Sequence, residues 1–296
     1  MVTLISKDPN VVNKLAAALS KSTGDLLDRD FQAIASEFLA EDRAIEQIEL
    51  FQGEVNKFYP YDFSGKKLLE IGAGVGTFLV AARKKSNIEA FGVEPSKDEF
   101  SPFNEISKSL LNEYGLSEKI IFNCSGEELP FHEETFDLIY STNVLEHVQH
   151  PEKVFSESLR VLKRGGFLQF VIPNYFSFWE GHYGVIWPCL TNKILAKLYA
   201  RFIGKNPAYI DTLQLISPRY LMRMLETHKR DIEILSWGKE VFKKRLTSGN
   251  YSDWASLQRI RPIVSFVQKL GIAFLAADIL NSFSMYTPVV LTIRKR

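Results

Sequence analysis

The stretch Glu70–Gly76 carries three glycines at a spacing of two, directly after an apolar run. Lys67–Ile71 has the pattern of a buried parallel strand, and Gly72, Gly74 and Gly76 end it before a predicted helix. Glycine suits such a turn because a side chain would resist the backbone angles and keep a ligand away from the main chain. The pattern predicts a turn that binds a small molecule, and a purely structural turn is the alternative.

The spacing of the glycines separates two classes of ligand. A dinucleotide fold prefers G-x-G-x-x-G, which places a pyrophosphate at the helix N-terminus, whereas this chain reads E-x-G-x-G-x-G. The run L-L-E-I-G-A-G-V-G-T-F resembles the first motif of the class I methyltransferases that use S-adenosyl-L-methionine. The resemblance implies that Glu70, Gly72, Gly74 and Gly76 bind this cofactor.

An acid follows the second predicted strand. Ile88–Val93 has the pattern of that strand, and Glu94 lies at its carboxyl end, about twenty residues beyond the glycines. Ligands in doubly wound folds bind at the carboxyl ends of the strands, where an acid can accept both ribose hydroxyls. The segment F-G-V-E-P-S also resembles the family, so Glu94 is the predicted ribose ligand.

The segment Ser125–Val148 extends the resemblance. It resembles the family segment that covers the adenine ring and leads into the fourth strand, Phe136–Ser141. The family usually has Asp just after the third strand to hold the adenine amino group, and this chain has Ser125 there. The resemblance therefore assigns the adenine side to Ser125, to Glu127 or to the backbone, and it adds Asn143 to the cofactor-binding residues.

A short aromatic stretch, N-Y-F-S-F-W-E-G-H-Y-G-V-I-W-P, contains Glu180 and His182. A hydroxyl that attacks a sulfonium methyl group benefits from being held against it and from a nearby base. His182 is the candidate base, and Glu180 is close enough to orient or charge it. His147 in L-E-H-V is the rival, because the family often has histidine there, near the methyl donor.

The aromatic residues of the same stretch have two interpretations. They could form a water-poor pocket that shelters the sulfonium by cation–π attraction. Alternatively, they pack the loop onto the sheet, and His182 is then a structural histidine. The residues concerned are Tyr175, Phe176, Phe178, Trp179, Tyr183 and Trp187.

Two absences narrow the acceptor and the mechanism. The fourth strand is followed by S-T-N-V, where nucleobase amino methyltransferases of this fold carry an Asn/Asp-Pro-Pro-aromatic tetrad, so a nucleobase acceptor is disfavoured. The sequence also shows no compact Asp/Glu/His cluster of the kind that makes a magnesium site, so we expect no metal ion.

Length and charge limit the class of protein. The chain has 296 residues, 46% of them hydrophobic, so it can bury a large core and is longer than a minimal α/β domain. With a net charge of +1, the chain lacks the basic excess that is typical of nucleic-acid-binding proteins. Cys124 and Cys189 lie far apart, which favours neither a disulfide framework nor a zinc site, and the N-terminus shows no secretory signal. We therefore expect a cytoplasmic protein.

The elements that must position these motifs divide into two parts. Residues 1–60 are predicted to form a helical cover at one edge of the sheet, because apolar residues recur at helical spacing from Asn10 to Phe58. Residues 61–296 are predicted to form the methyltransferase domain. The resemblance implies an α/β, Rossmann-like, seven-stranded and mostly parallel sheet with helices on both faces, an antiparallel last strand and helical additions.

The remaining elements follow from local patterns. Helices are expected at Phe103–Tyr114, Val154–Leu162 and Ser217–His228, and strands at Lys119–Asn123, Gly166–Pro173, Ile232–Trp237 and Pro288–Arg294, with Lys163–Gly166 as a glycine cap. Two insertions, at about 174–216 and 239–287, leave from positions where the family builds substrate lids. Specificity is expected to reside in them.

The second insertion contains an apolar stretch, Ile260–Phe283, at helical spacing. Gln268, Lys269 and Asp278 interrupt it, which argues against a membrane-spanning helix. A core or subunit contact is the favoured interpretation. Peripheral membrane docking with a lipid-linked acceptor stays open, because basic residues flank the apolar stretch.

The predicted function is methyl transfer from S-adenosyl-L-methionine to a small or medium-sized acceptor, with oxygen as the favoured acceptor atom. The resemblance is to the small-molecule group typified by ubiquinone and menaquinone biosynthesis, and the acceptor could be a sugar, a quinone, a lipid-linked compound or a secondary metabolite. Two alternatives stay open, a non-catalytic module that senses the cofactor and a nicotinamide-dependent oxidoreductase. The sequence does not indicate an oligomeric state.

Overall fold

The computed structural model describes residues 3–23, 27, 29–95, 101–248 and 260–296. Strands in these ranges are β1 (Lys67–Ile71), β2 (Glu89–Val93), β3 (Ile121–Phe122), β4 (Phe136–Thr142), β5 (Leu162–Ile172), β6 (Trp179–Glu180), β7 (Val185–Ile186), β8 (Ile232–Ser236) and β9 (Val289–Lys295). Seven of them form one sheet of order β3-β2-β1-β4-β5-β9-β8, and β6 and β7 form a separate hairpin. Within the seven-stranded sheet, β9 is antiparallel to both of its neighbours and the other strand pairs are parallel, as the resemblance implied.

The described helices lie on both sides of this sheet. They are α1 (Val11–Thr23), α2 (Phe31–Phe38), α3 (Glu41–Asn56), α4 (Thr77–Lys85), α5 (Ser101–Glu113), α6 (Pro151–Val161), α7 (Lys193–Phe202), α8 (Pro218–Glu226), α9 (Lys239–Ser248), α10 (Arg261–Lys269) and α11 (Ala273–Ser282). Short 3-10 turns occur at Glu118–Ile120 and Pro207–Thr212. The α/β architecture predicted from the sequence is confirmed.

The glycine turn follows β1, an interior strand of the sheet. Leu68, Leu69 and Ile71 of β1 are buried, and β1 pairs with β2 on one side and with β4 on the other. A parallel strand covered on both faces needs an almost continuous apolar run, which explains the composition of β1. The turn after β1 therefore lies between the carboxyl ends of β2 and β4.

The N-terminal helices pack on a face of the sheet. Helix α3 contacts α4, β8 and β9, and its buried residues Ile48, Phe51 and Val55 belong to the same core cluster as Tyr140 and Val290 of the sheet. Helix α3 thus packs on a face of the sheet as well as beside its edge strand β8. An apolar helix stripe is buried best against an apolar sheet face, whereas an edge offers backbone N–H and C=O groups.

Some element boundaries also differ from the sequence-based expectation. Strand β5 begins at Leu162, directly after α6, so Lys163–Gly166 belongs to the strand and is not a glycine cap of the helix. The pairing of β5 with β4 shifts register in this region, and Gly165 has a φ of 75°. Strand β3 is shorter than predicted, because the 3-10 turn Glu118–Ile120 occupies its first residues.

The apolar stretch Ile260–Phe283 does not form a single helix. Gly271, with a φ of 71°, separates α10 from α11, and the two helices are bent by 117° relative to each other. No single helix among the described residues is long and apolar enough to cross a membrane, and this bent pair meets the length and composition criteria only jointly. Residues 249–259 of the second insertion lie outside the described ranges.

Candidate active site

The glycine turn is tied to the end of β2. The φ angles of Gly72, Gly74 and Gly76 are 79°, 50° and 82°, a region that side chains disfavour. The backbone N–H groups of Gly72 and Ala73 donate to the carbonyl oxygen of Val93 at 2.9 and 3.0 Å. These bonds hold the turn across the carboxyl ends of β1 and β2, where doubly wound folds bind ligands.

Two of the glycines are needed for different reasons. A Cβ atom at Gly72 would lie 2.2 Å from Cγ2 of Val144, so this position lets the loop after β4 pack against the turn. A Cβ atom at Gly74 would meet no atom within 4 Å. Gly74 therefore presents open main chain, which is the side from which a ligand can approach.

Two carboxylates lie at this turn. Glu94 accepts a hydrogen bond from the backbone N–H of Gly74 at 2.9 Å, and burial raises the pKa of Glu94. Glu70 is buried, its Oε2 has no hydrogen-bond partner, and burial together with the nearby Glu94 raises its pKa well above the usual value. A buried acceptor without a partner indicates a missing donor or cation.

A pocket lies beside Glu94. A cavity of about 200 Å³ lies there, lined by Asn104 and Ser107 of α5 and by Ile121 of β3, among others. The acid at the end of β2 thus borders a cavity. Donor-rich groups such as an amino group and ribose hydroxyls fit the two acids, and S-adenosyl-L-methionine carries both.

The two side chains assigned to the adenine side, those of Ser125 and Glu127, make hydrogen bonds within the protein. The Ser125 hydroxyl accepts from the backbone N–H of Glu127 at 3.2 Å. Oε1 of Glu127 accepts from the backbone N–H groups of Gln149 and His150, at 2.9 and 3.0 Å. Asn143 is exposed, with a φ of 53°. Glu127 thereby positions the chain before α6. The roles of Ser125, Glu127 and Asn143 in binding the cofactor stay predictions.

Glu180, which is buried, and His182, whose side chain is 19% exposed, form a pair at the β6–β7 hairpin. Nδ1 of His182 lies 2.6 Å from Oε1 of Glu180. The carboxylate also accepts the backbone N–H of His182 at 3.1 Å and that of Tyr183 at 2.7 Å. Both oxygens of Glu180 are therefore engaged, and the hairpin turn orients the acid toward the imidazole two residues later.

The two partners stabilise each other's charge. Desolvation alone would raise the pKa of Glu180, but the charge of His182 and the hydrogen bonds from His182 and Tyr183 lower it. Desolvation alone would lower the pKa of His182, but Glu180 raises it above the usual value. An acid that fixes Nδ1 of an imidazole leaves Nε2 available for proton transfer.

His147 lies on the other side of His182. The two Nε2 atoms are 3.4 Å apart, and the rings meet edge to face. Desolvation and the neighbouring His182 lower the pKa of His147, although its side chain is 41% exposed. Since His182 donates from Nδ1 to Glu180, its Nε2 is an acceptor in the neutral state, and Nε2–H of His147 is the donor between them.

Glu146 is a site residue that the sequence analysis did not single out. Its side chain is fully buried, and neither carboxylate oxygen has a hydrogen-bond partner. Burial raises its pKa to about 7. Oε1 lies 3.9 Å from Nε2 of His147. In the sequence, Glu146 directly precedes the candidate base His147 in the run L-E-H-V, and this adjacency could have identified it.

Glu146, His147 and His182 together form a compact donor set. One ligand atom from each lies within 4.8 Å of the other two, so these side chains could hold a cation. The sequence does not reveal this cluster. The loop after β4 and the β6–β7 hairpin supply its members, and only the folded chain brings them together.

This cluster lies beside the cofactor turn. Val144 packs on Gly72, and the backbone N–H of His147 donates to the carbonyl oxygen of Val144 at 2.8 Å, so both belong to one tight turn. The carbonyl oxygen of Glu146 accepts from the backbone N–H of Gln214 at 2.7 Å. The end of the first insertion is thus attached to the turn that carries His147.

Arg29 is a second residue that the sequence analysis missed. Its Nη1 donates to the carbonyl oxygens of Gly181 and His182, at 2.6 and 3.2 Å. A Cβ atom at Gly184 would lie 2.3 Å from Nη1 of Arg29, so a side chain there would displace the guanidinium group. The segment between α1 and α2 therefore holds the hairpin that carries the Glu180–His182 pair.

Most of the aromatic residues of the first insertion are packed. Tyr175, Tyr183 and Trp187 belong to a buried cluster with Tyr209, Leu213 and other residues of the insertion, and Trp179 is buried against the sheet. Phe176 is exposed. The packing interpretation thus describes most of these rings.

The fold and the glycine turn are those of the class I S-adenosylmethionine-dependent methyltransferases. The central glycine turn, the acid at the end of β2, and the strand order with an antiparallel β9 are the features on which this rests. Residues 41–236 match the family described as "Methyltransferase domain". The chain belongs to that family.

Named relatives cover only part of this chain. It is 36% identical over 109 residues to norajmaline N-methyltransferase of Rauvolfia serpentina, which is 36% of each chain. It is 35% identical over 111 residues to sarcosine/dimethylglycine N-methyltransferase of Aphanothece halophytica, which is 37% of this chain and 39% of that protein. The matches therefore span well under half of these relatives.

The solved structures share the fold over nearly the whole chain. The geranyl diphosphate C-methyltransferase of Streptomyces coelicolor A3(2), solved with Mg²⁺, geranyl diphosphate and S-adenosyl-L-homocysteine, has a TM-score of 0.52 and 16% identity. The match covers 93% of this chain and 87% of that chain. At this identity the likeness concerns the fold.

Proposed function

We propose that this protein transfers a methyl group from S-adenosyl-L-methionine to a hydroxyl group of a small or medium-sized acceptor. The observation that carries the proposal is the 2.6 Å contact between Nδ1 of His182 and the buried Glu180, beside the cofactor turn. It leaves Nε2 of His182 to accept the acceptor's proton. An amine that arrives uncharged is already nucleophilic and has less need of such a base.

The cofactor would be held by the turn and its acids. Gly74 offers open main chain, Glu94 would accept the ribose hydroxyls, and Oε2 of Glu70 has no partner within the protein. When bound, the cofactor supplies a methyl group on a sulfonium. The two acids complement the positive charges of its sulfonium and amino groups.

The chain's own part in the reaction is to orient the acceptor and to move one proton. Glu180 holds His182 in one orientation, and Nε2–H of His147 donates to Nε2 of His182 until an acceptor hydroxyl replaces it. The hydroxyl proton then passes to Nε2 of His182, whose positive charge Glu180 stabilises. Positioning and proton removal together lower the barrier.

Several finer points belong to the same proposal. A sugar, a quinone, a lipid-linked compound or a secondary metabolite would provide the hydroxyl, and the likeness to the ubiquinone and menaquinone group stays a prediction. The relatives named above act on nitrogen or carbon, as their names state, so the acceptor atom needs its own test. We also propose a cytoplasmic location, supported by the two free cysteines.

The test compares His182→Ala with His132→Ala, an exposed histidine outside the cluster. Lysate metabolites are incubated with isotopically labelled cofactor, and mass spectrometry identifies the methylated product. We expect His182→Ala to lower turnover by about 10²- to 10⁴-fold with unchanged affinity for S-adenosyl-L-homocysteine, and His132→Ala to change neither. Wild-type turnover in His182→Ala would exclude His182 as the base.

Two further measurements separate the alternatives. A protein that binds S-adenosyl-L-homocysteine but methylates no metabolite would be a cofactor sensor, and one that binds NAD instead would be an oxidoreductase. The donor set of Glu146, His147 and His182 raises a third outcome. If chelation abolishes turnover and a divalent cation restores it, His182 is a metal ligand and the proton-transfer role assigned to it is wrong.

A further inference from the structure

Exposed apolar side chains are concentrated on the two insertions. Of the 19 large apolar residues that are exposed in the described ranges, 12 lie on α7 or on the hairpin from α10 to Phe283. We call these 12 side chains the apolar lid surface. Single exposed apolar residues are normal, whereas a concentrated set marks an interaction site.

Helix α7 directs its larger residues outward. Ile194, Leu198 and Phe202 recur at a spacing of four on one face, and Ile194 and Phe202 are 71% and 87% exposed. Ala196 and Ala200 form the buried side of the helix. A surface helix of a soluble protein has the opposite arrangement, so the exposed stripe of α7 needs an apolar partner.

The α10–α11 hairpin repeats this arrangement. Phe266 and Phe274 are exposed, while Val264 and Ala277 pack into the core beneath the hairpin. The tip between the helices is also apolar, with Leu270 54% exposed and Ile272 44% exposed. Turns normally carry polar residues that water solvates, so an apolar tip suits insertion into an apolar medium.

Both insertions lie at the end of the sheet where the parallel strands have their carboxyl ends. The first leaves β5 just after Ile172, which pairs with Val289, where the second returns into β9. Nδ2 of Asn174 donates to the carbonyl oxygens of Ser284 and Tyr286 at 2.9 and 2.7 Å, which joins the two insertions. The cofactor turn lies at the same end of the sheet.

The charge around the surface is positive. Residues 193–205 contain four basic residues and no acid. Residues 239–248 and 260–283 contain six basic and two acidic residues. The whole chain has a net charge of +1, so the rest of it is net acidic. Basic side chains beside exposed apolar rings are the composition of proteins that lie on anionic membranes.

We propose that the apolar lid surface docks on a bilayer that contains anionic lipid. The apolar tip and rings enter the boundary between head groups and acyl chains, and the basic residues face the lipid phosphates. Pairing of this surface with its copy on a second chain would bring like charges together, which disfavours self-association. Helices of 9 and 10 residues bent by 117° suit a position in the interface plane.

The test is flotation of the full chain with vesicles, without cofactor or acceptor. Its result is therefore independent of the proposed methyl transfer. We expect the protein to float with vesicles of phosphatidylcholine and phosphatidylglycerol, to bind pure phosphatidylcholine at least about tenfold more weakly, and to lose affinity as salt is raised. Equal binding to both kinds of vesicle would overturn the part of the proposal that concerns charge.

Matched variants test the surface. Phe266→Ser combined with Phe283→Ser removes two exposed rings of the hairpin, and Phe38→Ser combined with Phe58→Ser removes two exposed rings elsewhere. We expect the first pair to lower vesicle affinity at least about tenfold and the second pair to leave it unchanged. Because all four rings are exposed, both variants should fold, which circular dichroism checks.

Sedimentation measures the competing occupants. A wild-type dimer that the Phe266→Ser, Phe283→Ser variant converts to monomer, without vesicle binding by either, would assign the surface to a second copy of the chain. A monomer that fails to bind anionic vesicles would leave the surface to another protein. Each of these results would overturn membrane docking.

Discussion

At the residue scale, the pKa values of three buried carboxylates near the site shift in different directions because their neighbours differ. Glu180 is buried with a lowered pKa, since His182 and two backbone N–H groups stabilise its negative charge. Glu146 and Glu70 are buried without a partner for at least one oxygen, and burial raises the pKa of both. Hydrogen-bond donors, more than burial, decide in which direction the pKa of each acid shifts.

The first prediction concerns Gly74. Gly74→Val places a branched side chain where a ligand would meet the main chain, and we expect it to weaken S-adenosyl-L-homocysteine binding by about 1.5 to 3 kcal/mol, at least tenfold. Gly65→Val is the matched control, because Gly65 also has a positive φ and open space around it. Calorimetry measures both. Equal losses in the two variants would trace the effect to backbone strain and contradict the cofactor assignment.

The second prediction concerns the pH dependence of turnover. Neutral His182 is the base, and Glu180 raises its pKa, so turnover should increase with pH through a midpoint above about 6.5. Glu180→Gln removes the charge that raises this pKa and leaves the desolvation that lowers it, so the midpoint should move down. The measurement is kcat against pH for both proteins. An unchanged midpoint would show that another group is titrating.

At the element scale, the insertions are positioned by a few long-range hydrogen bonds. Arg29 holds the β6–β7 hairpin, Asn174 joins the first insertion to the residues after α11, and Gln214 holds the loop after β4. Each of these bonds connects segments outside the seven-stranded sheet. Such segments open locally more easily than the sheet, so single side chains control their position.

The third prediction concerns Arg29. Arg29→Ala removes two hydrogen bonds from a charged donor, each worth about 1.5 to 3 kcal/mol, so hydrogen exchange in residues 179–186 should accelerate at least tenfold. The melting temperature should change little, because the sheet is untouched. Arg164→Ala, at an exposed arginine of β5, is the control. Unchanged exchange in the Arg29 variant would mean that the hairpin is held by its own packing.

At the scale of the whole molecule, the N-terminal helices and the sheet share one core. Ile48, Phe51 and Val55 of α3 are buried in the cluster that contains Leu138 of β4 and Phe167 of β5. The match to the methyltransferase family also begins at residue 41, where α3 starts. A division at residue 60 would therefore expose a face of the sheet.

The fourth prediction tests that division. A chain that begins at residue 61 loses the burial of Ile48, Phe51 and Val55, each worth about 1.5 to 3 kcal/mol, which together approach the whole stability of an ordinary domain. We expect this chain to be aggregated or only partly folded, and the full chain to unfold cooperatively. Thermal unfolding followed by circular dichroism distinguishes them. Cooperative unfolding of the shorter chain would contradict a shared core.

Local patterns sufficed for the cofactor turn and most of the sheet. The positions of β1, β2 and β4 follow from apolar runs, and Gly74 and Glu94 adjoin strand ends in a way that the order of residues reveals. Such features depend on residues near each other in the chain, which is why they can be predicted. The sequence shows a glycine at position 271. It does not reveal that the apolar stretch Ile260–Phe283 divides there into two helices.

The part of the site around His182 depends on packing between segments that are distant in the sequence. His147 and His182 are 35 residues apart in sequence, and Arg29 and His182 are 153 apart, so no local pattern relates them. The same holds for exposure. Helical spacing predicts that α7 and α10 have an apolar face, but whether that face meets the core or the solvent depends on which neighbours fill the space beside it. Here small residues such as Ala196 face the core, and the large ones stay outside.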